Sequence, residues 1–580
     1  MKTRIIAMLL CAGLLFGGCT PEKEEVTVNY PQEVQNLEKL CKVWGYTKYT
    51  HPAFLVEGKD WDAELISLIP QVQEMNSGEE VNELLNDWLL SLGEVEFESD
   101  TISSVWSDAK EEDIVVVADT SWIFDEDYLG EELSANMIPL TEPIPEVNRI
   151  SAPINFDRNY YGYGTTFTMY STEKQYEDMD FGDDNYRLLG VFRLWNAIEY
   201  YCPNLETFDN DWEDMLPVFI SKMLENSDEQ SYHLTIAEMA ANLQDAHVCF
   251  GIAEFLKNVF GENWVGDVEF TYAEGEVVVV QTFDEDCPLQ AGDIIRKLDG
   301  MDIEDRIELG KKYCSVPDDD KFVNALELYL LRSDGETAEI TVLRDGQEMT
   351  FTVEADGVPY DTGLTYGVNY EDRTPEGYEI TEENIGVLNP KFLGGNTSDE
   401  YKYYLAMSAV KDTDGLIIDL RQYPGFNKNV LSGYIYDEPE VAMTSTYFSQ
   451  TLPGVYVKEP WYRNTTQLRS TYHYDKEIVV LIDENSQSAP EFAALFLRGA
   501  ENVTFMGSNT VGAVGMCLVL PLPDGHGLMY TAQSTYTLDG ELTNRVGIAP
   551  DIEVKRTIQG IKEGRDELKE AAIEYLIREK

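Results

Sequence analysis

The chain has 580 residues, with 107 Asp and Glu against 42 Lys and Arg, and a formal net charge of −65 at pH 7. A surface this acidic repels phosphate backbones and anionic headgroups, which argues against nucleic acid and anionic membrane surfaces as partners. Hydrophobic residues make up 43% of the chain, enough for several domains with real cores.

The chain opens with a basic stretch, Met1-Lys-Thr-Arg4, then an apolar run from Ile5 to Phe16, then Gly17-Gly18-Cys19. The run is too short to span a bilayer and has the layout of a secretory signal. Small residues directly before a cysteine resemble a bacterial lipoprotein signal. The resemblance implies a signal peptide over 1–18, lipid on Cys19, and a polar tether over 19–34. It places the mature protein on the bacterial cell envelope, facing periplasm or exterior, with membrane contact through the lipid anchor only. Beyond Cys11 and Cys19, six scattered cysteines form no C-x-x-C pair, so a structural zinc site is not expected.

Two stretches then repeat one pattern. Trp44, Trp61 and Leu92 in the first stand 151 residues before Trp195, Trp212 and Leu243 in the second. Shared spacing over three landmarks predicts duplicated helical units. The first, with an irregular acidic connection carrying short strands, covers 35–180, and the second covers 181–262. The second ends Gln244-Asp-Ala-His247-Val248, whereas the first has a glutamate at the position matching His247. The helical scaffold therefore does not demand the histidine, and His247 becomes a candidate base.

From 263 to 358 the pattern turns to β. Strands are predicted at 275–281 and 338–344, the latter leading through Asp345-Gly346 into a hairpin strand at 349–353. The stretch Ala291-Gly-Asp-Ile-Ile295, with its Asp299-Gly300 turn, resembles PDZ domains, which implies a peptide partner captured by strand addition.

The region 370–580 alternates strands (385–389, 415–420, 478–482, 503–506) with helices (398–411, 427–436, 489–500), the pattern of a mostly parallel α/β sheet. Functional loops then gather at the strand C-termini. Ile478-Val-Val-Leu-Ile482 is apolar on both faces, as a buried parallel strand requires. Ser488 stands at the corner before the next helix, next to free N–H groups at a positive helix end. A serine there has its oxygen exposed above the sheet, where a nucleophile belongs. Gly425, after the second strand, can bring its N–H close for want of a side chain, and Ala489 supplies a second N–H by position, a candidate oxyanion hole.

Asp419-Leu-Arg421 with Gly425, Ser488-x-x-Glu491 and Gly547-Ile-Ala-Pro-Asp-Ile552 resemble the tail-specific (C-terminal-processing) and tricorn-type serine peptidases. The PDZ-like segment ahead of them strengthens the match, and the N-terminal repeat looks like the lipoprotein branch of that family. The resemblance implies a ClpP/crotonase-like catalytic core, peptide or protein substrates, and no metal or organic cofactor. The tail-specific branch places a lysine in the glycine-rich loop after the nucleophile, where this chain has Ala513. The tricorn-type branch uses an upstream histidine in an Asp-x-His or Ser-His turn, which His247 fits, with Ala246 in place of the serine. The residue supporting that base falls at Asn544, with Glu541 as the alternative. The reading is an exported serine endopeptidase using Ser488, His247 and Asn544. The rivals are a peptide-binding lipoprotein with a degraded site and, more remotely, a crotonase-like acyl-CoA enzyme.

Overall fold

A computed structural model describes residues 29–96, 113–144, 151–154, 168–170, 172–250, 253–266, 268–316, 329–355, 377–393, 400–424, 429–449, 452–463 and 473–578. The expected lipidation residue Cys19 and the oxyanion donor Gly425 lie outside them.

The N-terminal half is built on six long helices: α1 (Gln32–Thr50), α2 (Trp61–Gln73), α3 (Gly78–Ser91), α4 (Asp184–Tyr201), α5 (Trp212–Glu225) and α6 (Glu229–Ala241). Short polar side chains start most of them. Asp60 caps α2, Ser77 caps α3, Asp183 caps α4, Asp211 caps α5 and Asp228 caps α6, each accepting a backbone N–H of the first turn. Both α1 and α4 are buried nearly all round, as central helices of a bundle should be. They cross where Gly45 faces Asn196. A Cβ on Gly45 would fall 1.8 Å from the Asn196 Oδ1, so only glycine permits this approach. The two indoles Trp44 and Trp195 make matching bonds, Nε1 donating to the carbonyls of Trp61 (2.8 Å) and Trp212 (3.0 Å). Between the helices lies a wholly buried charge cluster. Lys48 meets Glu173 at 2.5 Å, and Arg193 meets Asp62 at 2.8 Å and Glu173 at 3.4 Å. Neutralised in pairs, these charges tolerate a site without water.

An antiparallel sheet follows, with β1 (Val268–Ala273), β2 (Glu276–Thr282), β3 (Ile294–Leu298), β4 (Thr337–Arg344) and β5 (Gln347–Glu354) in the order β5-β4-β3-β2-β1. The β4–β5 hairpin turns at Asp345 and Gly346, both at positive φ (51° and 78°), the geometry that an Asp-Gly pair favours.

The C-terminal region is an α/β layer. β6 (Tyr378–Ile380), β7 (Ile385–Leu388), β8 (Gly415–Asp419), β11 (Ile478–Ile482), β12 (Val503–Gly507) and β15 (Ile552–Glu553) lie side by side in that order. All neighbours are parallel except β6. Helices α7 (Glu400–Val410), α8 (Ala489–Leu497) and α9 (Glu567–Arg578) belong to this layer. Beside it run two further hairpins, β9 (Val441–Phe448) with β10 (Val455–Tyr462), and β13 (Cys517–Pro521) with β14 (Gly527–Thr531).

N-terminal segments complete both hairpin sheets. Ile114–Val117 pairs with β10, Thr168–Met169 with β13, and Cys249–Phe250 with β14. These pairings cross the boundaries expected at residues 180 and 262. Two expectations differ from the structure. Within 427–436 the described residues hold only a short turn, Leu431–Tyr434, where the Ser432 hydroxyl bonds back to the Asn429 carbonyl at 2.8 Å and competes with helix. The acidic connection carries helices at Glu126–Leu129 and Glu131–Met137 as well as a strand. These helices are too short to show a period in the sequence.

Candidate active site

All five residues of β11 are buried, and the connection from Asp483 delivers Ser488 at the mouth of α8. The connection is pinned on both sides. The Ser486 hydroxyl donates to the Leu420 carbonyl after β8 (3.0 Å), and the Val511 N–H of the glycine-rich loop donates to the Ser486 carbonyl (3.1 Å). Beneath the corner, burial and then neighbouring Glu484 push the Asp483 carboxyl up to about 7.

Ser488 itself has φ 63° and ψ −102°, a region that side-chain-bearing residues rarely occupy. Such strain costs about 1–3 kcal/mol and persists only where the surroundings over-determine it. Glu491 is that restraint. It is fully buried one turn into α8, and its carboxylate accepts from the Ser488 N–H (2.8 Å), the Thr510 hydroxyl (2.6 Å) and the N–H groups of Gly512 (2.7 Å) and Ala513 (3.1 Å). Burial raises its pKa, and these hydrogen bonds oppose the rise. One side chain thus welds the serine corner to the glycine-rich loop. Ala513 is buried in that loop. The Ala489 N–H opens α8 and has no acceptor among the described residues, so it remains available at the positive end of the helix.

His247 comes from a separate turn after α6, entered through Gln244 at φ 48°. The imidazole is buried, and its Nδ1 lies 2.8 Å from the Thr531 hydroxyl at the end of β14. That hydroxyl spends its one hydrogen on Asp245 Oδ1 (2.9 Å), while the Thr531 N–H donates to Asp245 Oδ2 (2.6 Å). A hydroxyl already donating can only accept from the ring, so Nδ1 carries the proton and Nε2 carries the lone pair. The backbone N–H of His247 also donates to Asp245 (3.0 Å), and Ser315 accepts the Asp245 N–H (2.8 Å). The Gln487 amide donates to the Ala246 carbonyl (3.0 Å), so the residues just before Ser488 and just before His247 are joined.

The sequence expectation for Asn544 needs correcting. Its Oδ1 accepts from the Thr535 N–H (2.8 Å), and its Nδ2 donates to the carbonyls of Val514 (2.9 Å) and Gln533 (3.1 Å). The amide is spent on backbone and braces the glycine-rich loop, while the Nδ1 of His247 goes to Thr531. The alternative, Glu541, is exposed in a turn closed by the Thr537 N–H to the Glu541 carbonyl. Two residues escaped sequence reasoning. Thr531 sits 284 positions from His247, with no motif to flag it. Tyr423, from the loop after β8, lies beside the Ser488 hydroxyl; burial, then nearby Cys517, raise its phenol.

A cavity of about 650 Å³ opens between the β1–β2 turn (Tyr272 to Gly275) and the loops bearing Glu484, Ser508 and Arg556.

A strained serine at a strand-to-helix corner, a histidine of fixed tautomer and an unspent helix N–H form the toolkit of serine-type acyl transfer. Residues 384–554 match the profile of Peptidase family S41, and this stretch of the chain is an S41 domain. The chain is 23% identical over 242 residues to the carboxy-terminal processing protease CtpB of Bacillus subtilis (strain 168), covering 41% of this chain and 46% of that one. It is 26% identical over 186 residues to the nisin-resistance protein of Lactococcus lactis subsp. lactis, covering 30% and 58%. The chain thus spans about half the length of the curated relatives it matches. Among solved structures, mature CPAF complexed with lactacystin superposes with a TM-score of 0.51 at 14% identity, covering 68% of this chain and 97% of that one, a likeness of fold.

Proposed function

We propose that the protein is a serine endopeptidase that cleaves peptides or protein tails through an acyl-enzyme on Ser488. His247 Nε2 takes the proton of the Ser488 hydroxyl, and the oxygen attacks the scissile carbonyl. The Ala489 N–H receives the negative oxygen of the tetrahedral intermediate. His247 then passes the proton to the leaving amine, and the peptide bond breaks. Water, deprotonated by the same imidazole, opens the ester and frees the new carboxylate and Ser488. Asp245 acts through Thr531, holding the imidazole in the tautomer that leaves Nε2 able to accept. The hydrogen-bond chain Asp245–Thr531–His247, joined to the serine corner by Gln487 and Ala246, carries this reading.

The wider assignment follows the same reading. The sheet over 268–354 serves as a PDZ-like peptide receptor, and the 650 Å³ cavity between it and the S41 domain is the path along which an extended peptide reaches the site. The α/β layer is read as a ClpP/crotonase-like core and the helices as two copies of one unit. The N-terminal signal directs export and lipid attachment at Cys19.

A serine-directed phosphonate tests the central claim. It should label the purified protein at Ser488 and nowhere in Ser488→Ala. Failure to label, in a protein that still binds peptides, would favour a binding protein with a silent site. Retained membrane association in Cys19→Ala would remove the anchor from the proposal.

A further inference from the structure

Besides the residues around Ser488, three metal-ligating side chains converge from two elements. His233 lies on α6, and Asp524 and His526 lie in the turn joining β13 to β14. Their ligand atoms all fall within 4.8 Å of one another, the one such trio among the described residues. His233 and Asp524 are buried, and His526 is partly exposed.

The hydrogen bonds of His233 set its second nitrogen against a carboxylate oxygen. His233 Nδ1 lies 2.8 Å from the Glu229 carbonyl, which can only accept, so Nδ1 carries a hydrogen. A neutral His233 then presents the bare lone pair of Nε2, 2.5 Å from Asp524 Oδ2, another acceptor. Two lone pairs do not share such a gap without a positive charge. His526 Nδ1 approaches the same carboxylate oxygen, at 2.9 Å. A backbone carbonyl that holds Nδ1–H and aims Nε2 is also the arrangement that orients metal-bound histidines.

We propose that His233, Asp524 and His526 bind a divalent transition metal of the zinc class. Two imidazoles and one carboxylate match the donors zinc takes, and an all-oxygen ion such as Ca²⁺ or Mg²⁺ would not select them. The exposed edge of His526 gives an entry path and leaves a fourth position for water. Ligands of one tetrahedral ion at ~2.0–2.1 Å sit ~3.3 Å apart, so loading moves the turn outward by under about 1 Å. The site bridges two elements of the fold. It joins α6, which leads into the Asp245–His247 turn, to β14, which ends at Thr531. A metal there cross-links the two elements that hold the candidate base. No cysteine pattern announces it, because the ligands come from positions 291 residues apart.

The test uses the full chain, stripped with a chelator and titrated with Zn²⁺ against a chromophoric competitor, with excess Mg²⁺ present to occupy the acidic surface. One Zn²⁺ should bind per chain, and the thermal midpoint should rise with it. His526→Ala, at a partly exposed position that folding tolerates, should weaken Zn²⁺ at least tenfold and lose the midpoint shift. His526→Ala with Asp524→Asn should bind none at that stoichiometry, and Ser488→Ala should bind as the parent does. Equal Zn²⁺ binding by folded parent and folded His526→Ala would overturn the proposal. So would a parent that takes up no Zn²⁺, which would make the trio a brace around a protonated His233.

Discussion

Arg193 reaches Asp62 across 2.8 Å with neither side chain touching water, and Lys42 grips Glu213 in the mirror arrangement. Lys42 stands 151 residues before Arg193, and Asp62 stands 151 before Glu213. Each helical unit thus lends its cation to the other unit's acid. Tyr49 and Tyr200, separated by the same interval, meet edge to face with ring centroids 5.9 Å apart. Contacts at the interval of 151 thus recur between the two helical stretches. Gly45 meets Asn196 at this interval too, where two side chains cannot both fit.

The exchange is unequal in burial, and this sets the first prediction. Arg193→Ala leaves the buried Asp62 carboxylate without its cation, while Glu173 keeps Lys48, and should cost about 3–5 kcal/mol. Lys42→Ala leaves Glu213, which is 56% exposed, free to rehydrate, and should cost about 1 kcal/mol or less. Urea midpoints of the two variants would measure the contrast, and similar losses would contradict it.

A second prediction concerns pH. Burial, then neighbouring Glu213, push the Glu199 carboxyl up to about 7 from an ordinary 4.5. The folded chain therefore keeps a proton that the unfolded chain releases. That contribution is complete below pH 4.5 and is lost as pH rises through 7, on the order of 3 kcal/mol in all. Glu199→Gln should be more stable than the parent at pH 8 and close to it at pH 5. Denaturation at the two pH values reads this directly.

Third, Ser488 and His247 should behave as one unit. Either alanine variant should abolish peptide hydrolysis, and the double variant should cost little more. A double variant far slower than both singles, by active-site-titrated kinetics, would separate their roles.

Fourth, Thr531→Val removes the acceptor that fixes the His247 tautomer. It should lower kcat at least tenfold with KM nearly unchanged, and should shift the acid limb of the pH–rate profile. Thr531→Ser, which keeps the hydroxyl, should recover most of the rate. Glu541→Gln should leave both constants alone.

Fifth, the strained corner is held against its own preference. Ser488→Gly should exceed Ser488→Ala in stability by about 1–3 kcal/mol, because glycine occupies φ 63° without penalty. Equal thermal midpoints would mean that the backbone relaxes when the hydroxyl is removed.

Much of this was legible in the chain. Ile478–Ile482 declares a buried strand by being apolar on both faces, and Ser488 stands where such a strand must turn into a helix. Asp245 and His247 were visible as an Asp-x-His turn. The Ser488-x-x-Glu491 spacing was visible too, but not the four donors that Glu491 gathers, three of which come from a loop about twenty residues on. Asn544 was misjudged because counting along the chain places an amide near the site, while the fold spends it on backbone. Thr531 was illegible because a strand-end threonine looks like any other until the sheet brings it to Asp245.

The three short pairings of Ile114–Val117, Thr168–Met169 and Cys249–Phe250 have a practical meaning. The S41 domain is not a portable module. Cutting the chain before residue 370 would strip strands from two sheets, leaving open edges that pair with neighbouring molecules. It would also leave Pro521 without the Arg193 that binds its carbonyl, and Thr531 without Asp245. Anyone shortening this protein for expression must keep the helices that precede the S41 domain, since half of the candidate active site is attached to them.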